Sequence, residues 1–320
     1  MLSFRPARGR GDHAGPRFDL KVDPDGYAWW YVDGISEDES RAITVIGFVG
    51  SVFSPYYRAS KRKEPFNHIS INVGLYSRGT RWAMTERGAG ALERSADHFR
   101  VGPSSMAWRS GELVIDVNEI AVPHLARIRG RIRVIPAAMT DIEVPLDEDG
   151  HVWRPFAPVS DIEVDLDLPG WTWRGHGYLD GNFGSRALER DFLTWTWGRY
   201  PRARGATTYY DAERRDGSKL GVALDFSDDG RVTAATAPPV AKIGRTFWQL
   251  NRHTRADAGH RPRQVKAMLD VPFYSRSMVR TRIEGEDTVG VHEMLDLNRF
   301  VNPLNQMLLP LRMPRRRRWP

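Results

Sequence analysis

Apolar and polar residues alternate along most of this chain. LVIDVNEI (113–120), RIRGRIRVIP (127–136), DIEVDLDL (161–168), KLGVALDF (219–226) and RTRIEGEDTVGVHEMLDL (280–297) all repeat with a period of two. Successive side chains of a strand point to opposite faces, so the pattern predicts half-buried antiparallel strands. Turn signals recur between them at Asp25-Gly26, Asp33-Gly34, Ser110-Gly111, Asp149-Gly150, Asp216-Gly217 and Asp229-Gly230. Most have the Asp-Gly form that suits tight hairpins. Helical spacing is scarce. Residues 85–99 are compatible with a short helix weakened by Gly88 and Gly90, and residues 297–311 with a terminal helical turn. Many short strands and few helices predict antiparallel barrels or sandwiches.

A length of 320 residues suits two domains. The stretch from Asp147 to Gly150 is the expected boundary. The expected organisation is a basic tail (1–20), two β domains (21–150 and 151–311) and an Arg-rich tail (312–320). No fixed-period repeat is present, which argues against a propeller or solenoid.

The chain has no cysteine, so disulfides, thiol nucleophiles and Cys-based metal sites are excluded. The first twenty residues lack the continuous apolar stretch of an export signal. The longest uncharged run, residues 42–57, falls short of the ~20 apolar residues of a spanning helix. These features fit a cytoplasmic protein. The net charge is +7, with arginines gathered near both ends. Arg315, Arg316, Arg317 and Arg318, followed by Trp319, are candidate contacts to anionic lipid at the cytoplasmic face of a membrane. The tryptophans lie away from the arginine runs and no nucleic-acid motif occurs, so nucleic acid is not an expected partner. Neither a P-loop nor a G-x-S-x-G elbow is present. The nine histidines show no ligand spacing, and no metal is expected.

The chemistry-bearing residues concentrate between His151 and Asp211. Two pairs stand out there, His151-x-Trp153 and Tyr178-x-Asp180. On a strand each pair aims a titratable group and an aromatic ring at one face. A proton donor in a wall of π faces suits acid chemistry on an apolar substrate. Each residue also has a plain structural reading. Asp180-Gly181-Asn182 is a turn sequence, Trp153 suits a core, Tyr178 suits a strand edge, and His151 follows a hairpin signal.

The segments DPDGYAWWYVDGISEDESRAITVIGFVGSVFSPYY (23–57), FNHISINVGLY (66–76), VGPSSMAW (101–108), HVWRPFAP (151–158), GHGYLDGNFG (175–184), WTWGRYP (195–201) and YYDA (209–212) resemble the acyclic carotenoid 1,2-hydratases of photosynthetic bacteria, also called hydroxyneurosporene synthases. The resemblance covers roughly residues 20–310 and not the Arg-rich tails. It implies two tandem lipocalin-like antiparallel β domains. It also implies a cofactor-free lyase that adds water across the terminal C1=C2 double bond of an acyclic carotenoid such as neurosporene or lycopene. His151, Trp153, Tyr178 and Asp180 occupy the family's functional positions.

That alkene is trisubstituted and lies outside the conjugated polyene, so protonation at C2 gives a localised tertiary cation at C1 that water captures. The step needs a positioned acid and stabilisation of positive charge. Asp180 is the expected donor, its pKa raised by burial, and Trp153 and Tyr178 would face the cation. His151 either orients Asp180 or deprotonates the water. His176, Trp195, Trp197, Tyr209, Tyr210 and Asp211 are secondary candidates for a substrate groove, Asp211 being a second possible acid. The competing readings are a lipocalin-like carotenoid or lipid carrier without turnover, and a pericyclase or isomerase.

Overall fold

The computed structural model describes residues 4–7, 15–148 and 150–316. Among them, twenty-four strand segments and a few short helices carry the fold. It is mainly β, as the alternation predicts. The periodic segments become the strands Glu112–Ile120 and Lys219–Phe226, each buried at alternate residues, and Arg127–Pro136, buried at Ile128, Ile132 and Val134. Residues 280–297 fold back as the hairpin Tyr274–Ile283 and Glu286–Asp296. Residues 85–99 do not form the expected helix. They form the strands Glu86–Arg87, Leu92–Arg94 and His98–Val101 around one 3-10 turn. A buried ion pair from Arg87 Nη2 to Glu119 Oε2 (2.9 Å) fixes the first of these, so long-range pairing overrides a weak local helical preference.

Two compact units emerge. One runs to Ala187 and resumes at Met307; the other is Leu188–Gln306. The expected boundary near residue 150 therefore falls inside the first unit. The turn there leads into His151–Leu168, which pairs with Trp171–Gly184, and that strand pairs with Tyr27–Ser36. A turn signal marks a chain reversal, and here the reversal stays within one sheet.

The first unit holds a fifteen-stranded sheet. Its core gathers Trp30, Val32, Val45, Ile71, Phe99, Ile115, Ile132, Ile162 and Leu179. Each such side chain contributes about 1.5–3 kcal/mol on leaving water. Phe18 belongs to this core and is fully buried, so the expected tail 1–20 does not extend to its last residues. At the other end, Arg315–Arg316 pairs in parallel with Glu86–Arg87. The Arg315 guanidinium ion-pairs with fully buried Glu86 and donates to the Asn67 carbonyl at 2.9 Å. Arg315 is thus a part-buried ion-pair partner within the sheet rather than a free tail residue. Arg316 is exposed, and the candidates Arg317, Arg318 and Trp319 lie outside the described residues.

The second unit holds a seven-stranded sheet, and the pair Val240–Ile243 and Arg252–Arg255. His292 is fully buried there. Its Nε2 lies 2.8 Å from the His253 carbonyl, so Nε2 carries the proton and donates. Burial pushes the imidazole down to about 3. Below about pH 6.5 the unfolded imidazole takes up a proton that the folded one refuses. Stability should therefore fall with acidification between about pH 6.5 and 3, by about 1.4 kcal/mol per pH unit from this group. Denaturant melts of the parent and His292→Gln across this window check it: the variant should lose that part of the slope.

Candidate active site

The strands Tyr27–Ser36, His151–Leu168 and Trp171–Gly184 lie side by side. Alternation gives the middle of each two different faces. Ala28, Trp30 and Val32 enter the apolar core, with Leu179 beside them. Tyr27, Trp29, Tyr31 and Asp33 take the other face. Register places Asp180 opposite Tyr31 and Tyr178 opposite Asp33, and cross-strand partners share a face. This second face is also buried: Asp33, Trp153 and Tyr178 are 0% exposed, His151 1% and Asp180 4%.

Trp153 Nε1 and Tyr178 Oη each donate to Asp180 Oδ2 at 2.8 Å. Burial raises the Tyr178 phenol well above its ordinary pKa, and the neighbouring Asp180 carboxylate raises it further. Tyr178 therefore keeps its proton and acts as a donor. Beside this trio, Tyr31 Oη donates to Asp33 Oδ2 at 3.0 Å. The Tyr31 and Tyr178 rings meet edge to face, 6.2 Å apart. The two strands thus carry the same Tyr-x-Asp unit in opposite directions, each tyrosine across from the other's aspartate. A carboxyl held beside Trp153, Tyr178 and Tyr31 can transfer a proton to an apolar substrate where water does not compete.

Of the four principal candidates, Trp153, Tyr178 and Asp180 meet directly. His151 shares their strand face, but its Nδ1 forms a 2.8 Å hydrogen bond with Tyr27 Oη, and its backbone N–H donates to Asp147 Oδ1. The turn reading of Asp180-Gly181 fails, because both residues are mid-strand. Gly181 occurs there because a Cβ would lie 2.9 Å from the Phe156 ring and 3.0 Å from the Trp29 carbonyl.

The secondary candidates divide. His176 precedes Tyr178 by two residues on the same strand and is half-buried. Trp195, Trp197 and Tyr210 belong to the second unit, on the strands Phe192–Arg202 and Gly205–Arg214. Trp197 pairs with Tyr210, and the Trp195 and Tyr210 rings meet edge to face at 5.9 Å. Tyr209 packs instead with Tyr200 and Ile283 in that unit's apolar cluster. Asp211 is gripped by Arg255 through two bonds of 2.5 and 3.1 Å. The structure places it as an ion-pair partner in the second unit.

Sequence reasoning missed Tyr27, Trp29, Tyr31 and Asp33. Their period-two spacing in YAWWYVD was the available signal. Asp33-Gly34 instead read as a hairpin turn, although it lies inside Tyr27–Ser36. Gly34 is required there by close packing, since a Cβ would sit 2.7 Å from Ile162.

The sequence profile of carotenoid hydratase CrtC matches residues 45–320. This chain belongs to the carotenoid hydratase family. It is 55% identical over 277 residues to the acyclic carotenoid 1,2-hydratase of Cereibacter sphaeroides, spanning 86% of this chain and 99% of that protein. Its identity to the enzyme of the same name from Thiocapsa roseopersicina is 47% over 307 residues, 94% of this chain and 76% of that one. Among solved structures, a putative AttH from Nitrosomonas europaea aligns with a TM-score of 0.60 at 13% identity, covering 88% of this chain and 99% of that one. Kievitone hydratase from Nectria haematococca aligns with a TM-score of 0.53 at 9% identity, covering 92% and 98%. At such identities the likeness shows the lipocalin-like β fold alone.

Two outcomes follow for the hydratase. Tyr178→Phe keeps the ring and removes the hydrogen bond to Asp180. Turnover should fall about 10- to 100-fold, the equivalent of one hydrogen bond to a charged group. Asp211→Asn should leave turnover near the parent's while lowering the melting temperature of the second unit, which calorimetry reads directly.

Proposed function

We propose that this hydratase adds water across the terminal C1=C2 double bond of an acyclic carotenoid such as neurosporene or lycopene, giving the 1-hydroxy-1,2-dihydro product. One observation carries the reading: in a member of the carotenoid hydratase family, a buried carboxyl receives two donors on the same oxygen and is ringed by aromatic side chains.

Those donors support a particular assignment of the atoms. With Trp153 and Tyr178 both donating to Oδ2, that oxygen acts as acceptor only. The transferable proton of Asp180 therefore belongs on Oδ1. Delivered to C2, it leaves a tertiary cation at C1 and a carboxylate at Asp180. That carboxylate is stabilised at once by the two hydrogen bonds already in place. The faces of Trp153, Tyr178, Trp29 and Tyr31 suit the cation, each well-placed face contributing ~2 kcal/mol when desolvated. Water adds to C1 and loses a proton, which restores the acid directly or by way of His151. As the base, His151 would hold its own proton on Nδ1, donate it to Tyr27 Oη, and accept at Nε2. The sum is one water added and no proton gained or lost.

The substrate is a hydrocarbon that resides in membranes. No helix among the described residues is long and apolar enough to cross one. Peripheral association with anionic lipid is therefore part of the proposal, with Arg316 and the arginines after it as contacts. Because Arg315 holds Glu86, the informative truncation removes residues 317–320 only. It should reduce co-sedimentation with anionic vesicles and leave turnover of detergent-dispersed carotenoid intact.

The decisive assay is anaerobic incubation with lycopene or neurosporene in oxygen-18-labelled water without added cofactor, read by mass spectrometry. The parent should yield a labelled hydroxyl, and Asp180→Asn should be slower by roughly 100- to 10,000-fold, the usual weight of a general acid. Binding without labelled product would favour a carrier, and a product isomeric with its substrate would favour a pericyclase.

A further inference from the structure

The loop of residues 244–251 in the second unit joins the strands Val240–Ile243 and Arg252–Arg255. Phe247 is 83% exposed and Trp248 45%. The two rings touch only edge to face, 5.5 Å apart at 90°. Two adjacent large aromatics in water usually mean a loose loop or an interaction site.

Here the loop is tied down from several sides. The Phe247 N–H donates to Asp270 Oδ2 at 2.9 Å. The Gln249 N–H donates to the Thr246 carbonyl at 3.0 Å, and the Leu250 N–H to Thr246 Oγ1 at 3.3 Å. Arg299 Nη1 donates to the Trp248 carbonyl at 2.8 Å, and Arg252 Nε to the Gly244 carbonyl at 2.9 Å. Thr246 and Leu250 are buried beneath, at 8% and 1% exposure. The backbone is thus held in a shape that turns the two rings outward.

The chain that carries them is basic, with no carboxylate from Gly230 to Ala256. From Arg231 to Ile283 there are eleven lysines and arginines and two carboxylates, Asp257 and Asp270; Arg231, Arg255 and Arg276 are paired with Asp229, Asp211 and Glu293. Asp270 accepts from Phe247, and Asp257 accepts from the N–H groups of Glu284 and Gly285. Lys242, Arg245, Arg261 and Arg263 are exposed.

We propose that this loop is an interfacial wedge: Phe247 and Trp248 insert into the headgroup region of an anionic lipid bilayer while Lys242 and Arg245 meet its phosphates. Aromatic rings favour that depth, and basic residues beside them favour negative lipid. The wedge deepens the functional proposal above, because a hydratase whose substrate lies in the bilayer must hold itself there to collect it.

The test is co-sedimentation of the full-length protein with phosphatidylcholine vesicles containing phosphatidylglycerol. Turnover is assayed in parallel on vesicle-embedded and on detergent-dispersed carotenoid. Replacing both rings (Phe247→Ser with Trp248→Ser) should weaken vesicle binding at least ~10-fold and slow only the vesicle assay. Arg245→Glu should weaken binding to the anionic vesicles and leave binding to pure phosphatidylcholine little changed. Leu125→Ser, which removes a residue 75% exposed in the first unit, should change neither, and an unaltered melting temperature confirms folding in each case. Equal vesicle binding by parent and double variant overturns the wedge. So does a parent that ignores vesicles but forms dimers that the double variant abolishes. Vesicle binding through the wedge without hydration in either assay would sink the assigned reaction instead and leave the wedge standing.

Discussion

A strand buried on both faces must satisfy two environments with alternating residues, and this molecule is organised around that constraint. In Tyr27–Ser36 and Trp171–Gly184 one parity supplies the apolar core and the other supplies acids and rings. Neither set can shift without the other, because a slip of one residue would send Asp33 and Asp180 into the core and Trp30 and Leu179 into the site. The precision of the site is therefore inherited from the packing of the core behind it. Asp-Gly at mid-strand serves both sides at once: the aspartate faces the site, and the glycine admits Ile162 or Phe156 on the reverse.

Electrostatics then works within that frame. Taking Asp180 out of water disfavours its charged form, whereas two donors on Oδ2 favour it. The balance suits the role proposed for it, an acid before the reaction and a carboxylate during it. The second Tyr-x-Asp unit places another carboxyl next to the same tyrosine, and Asp33 contributes to holding the Tyr178 phenol in its neutral form.

Much of this was legible in the sequence. The spacing of His151, Trp153, Tyr178 and Asp180 correctly implied a shared strand face, and the alternating segments became strands. The errors have physical causes. Asp33-Gly34 looked like a hairpin because short-range chemistry cannot tell a turn from a mid-strand residue pressed against a core side chain. The ion pair of Asp211 was not legible because its partner, Arg255, lies forty-four positions away in sequence. Arg315 looked like a free tail because nothing local announces the buried carboxylate of Glu86. In each case the deciding interaction is long-range.

The division of the chain has a consequence for the order in which it can be completed. The first unit is interrupted by all of the second and regains its last sheet edge only when Arg315–Arg316 pairs with Glu86–Arg87. During synthesis from the N-terminus, the second unit is fully available before that edge is closed. Until the closing residues emerge, Glu86 waits without its arginine, and the sheet that carries the proposed site keeps an open flank. A nascent chain stalled anywhere in the second unit would carry every proposed catalytic residue and still lack the clasp that finishes their sheet.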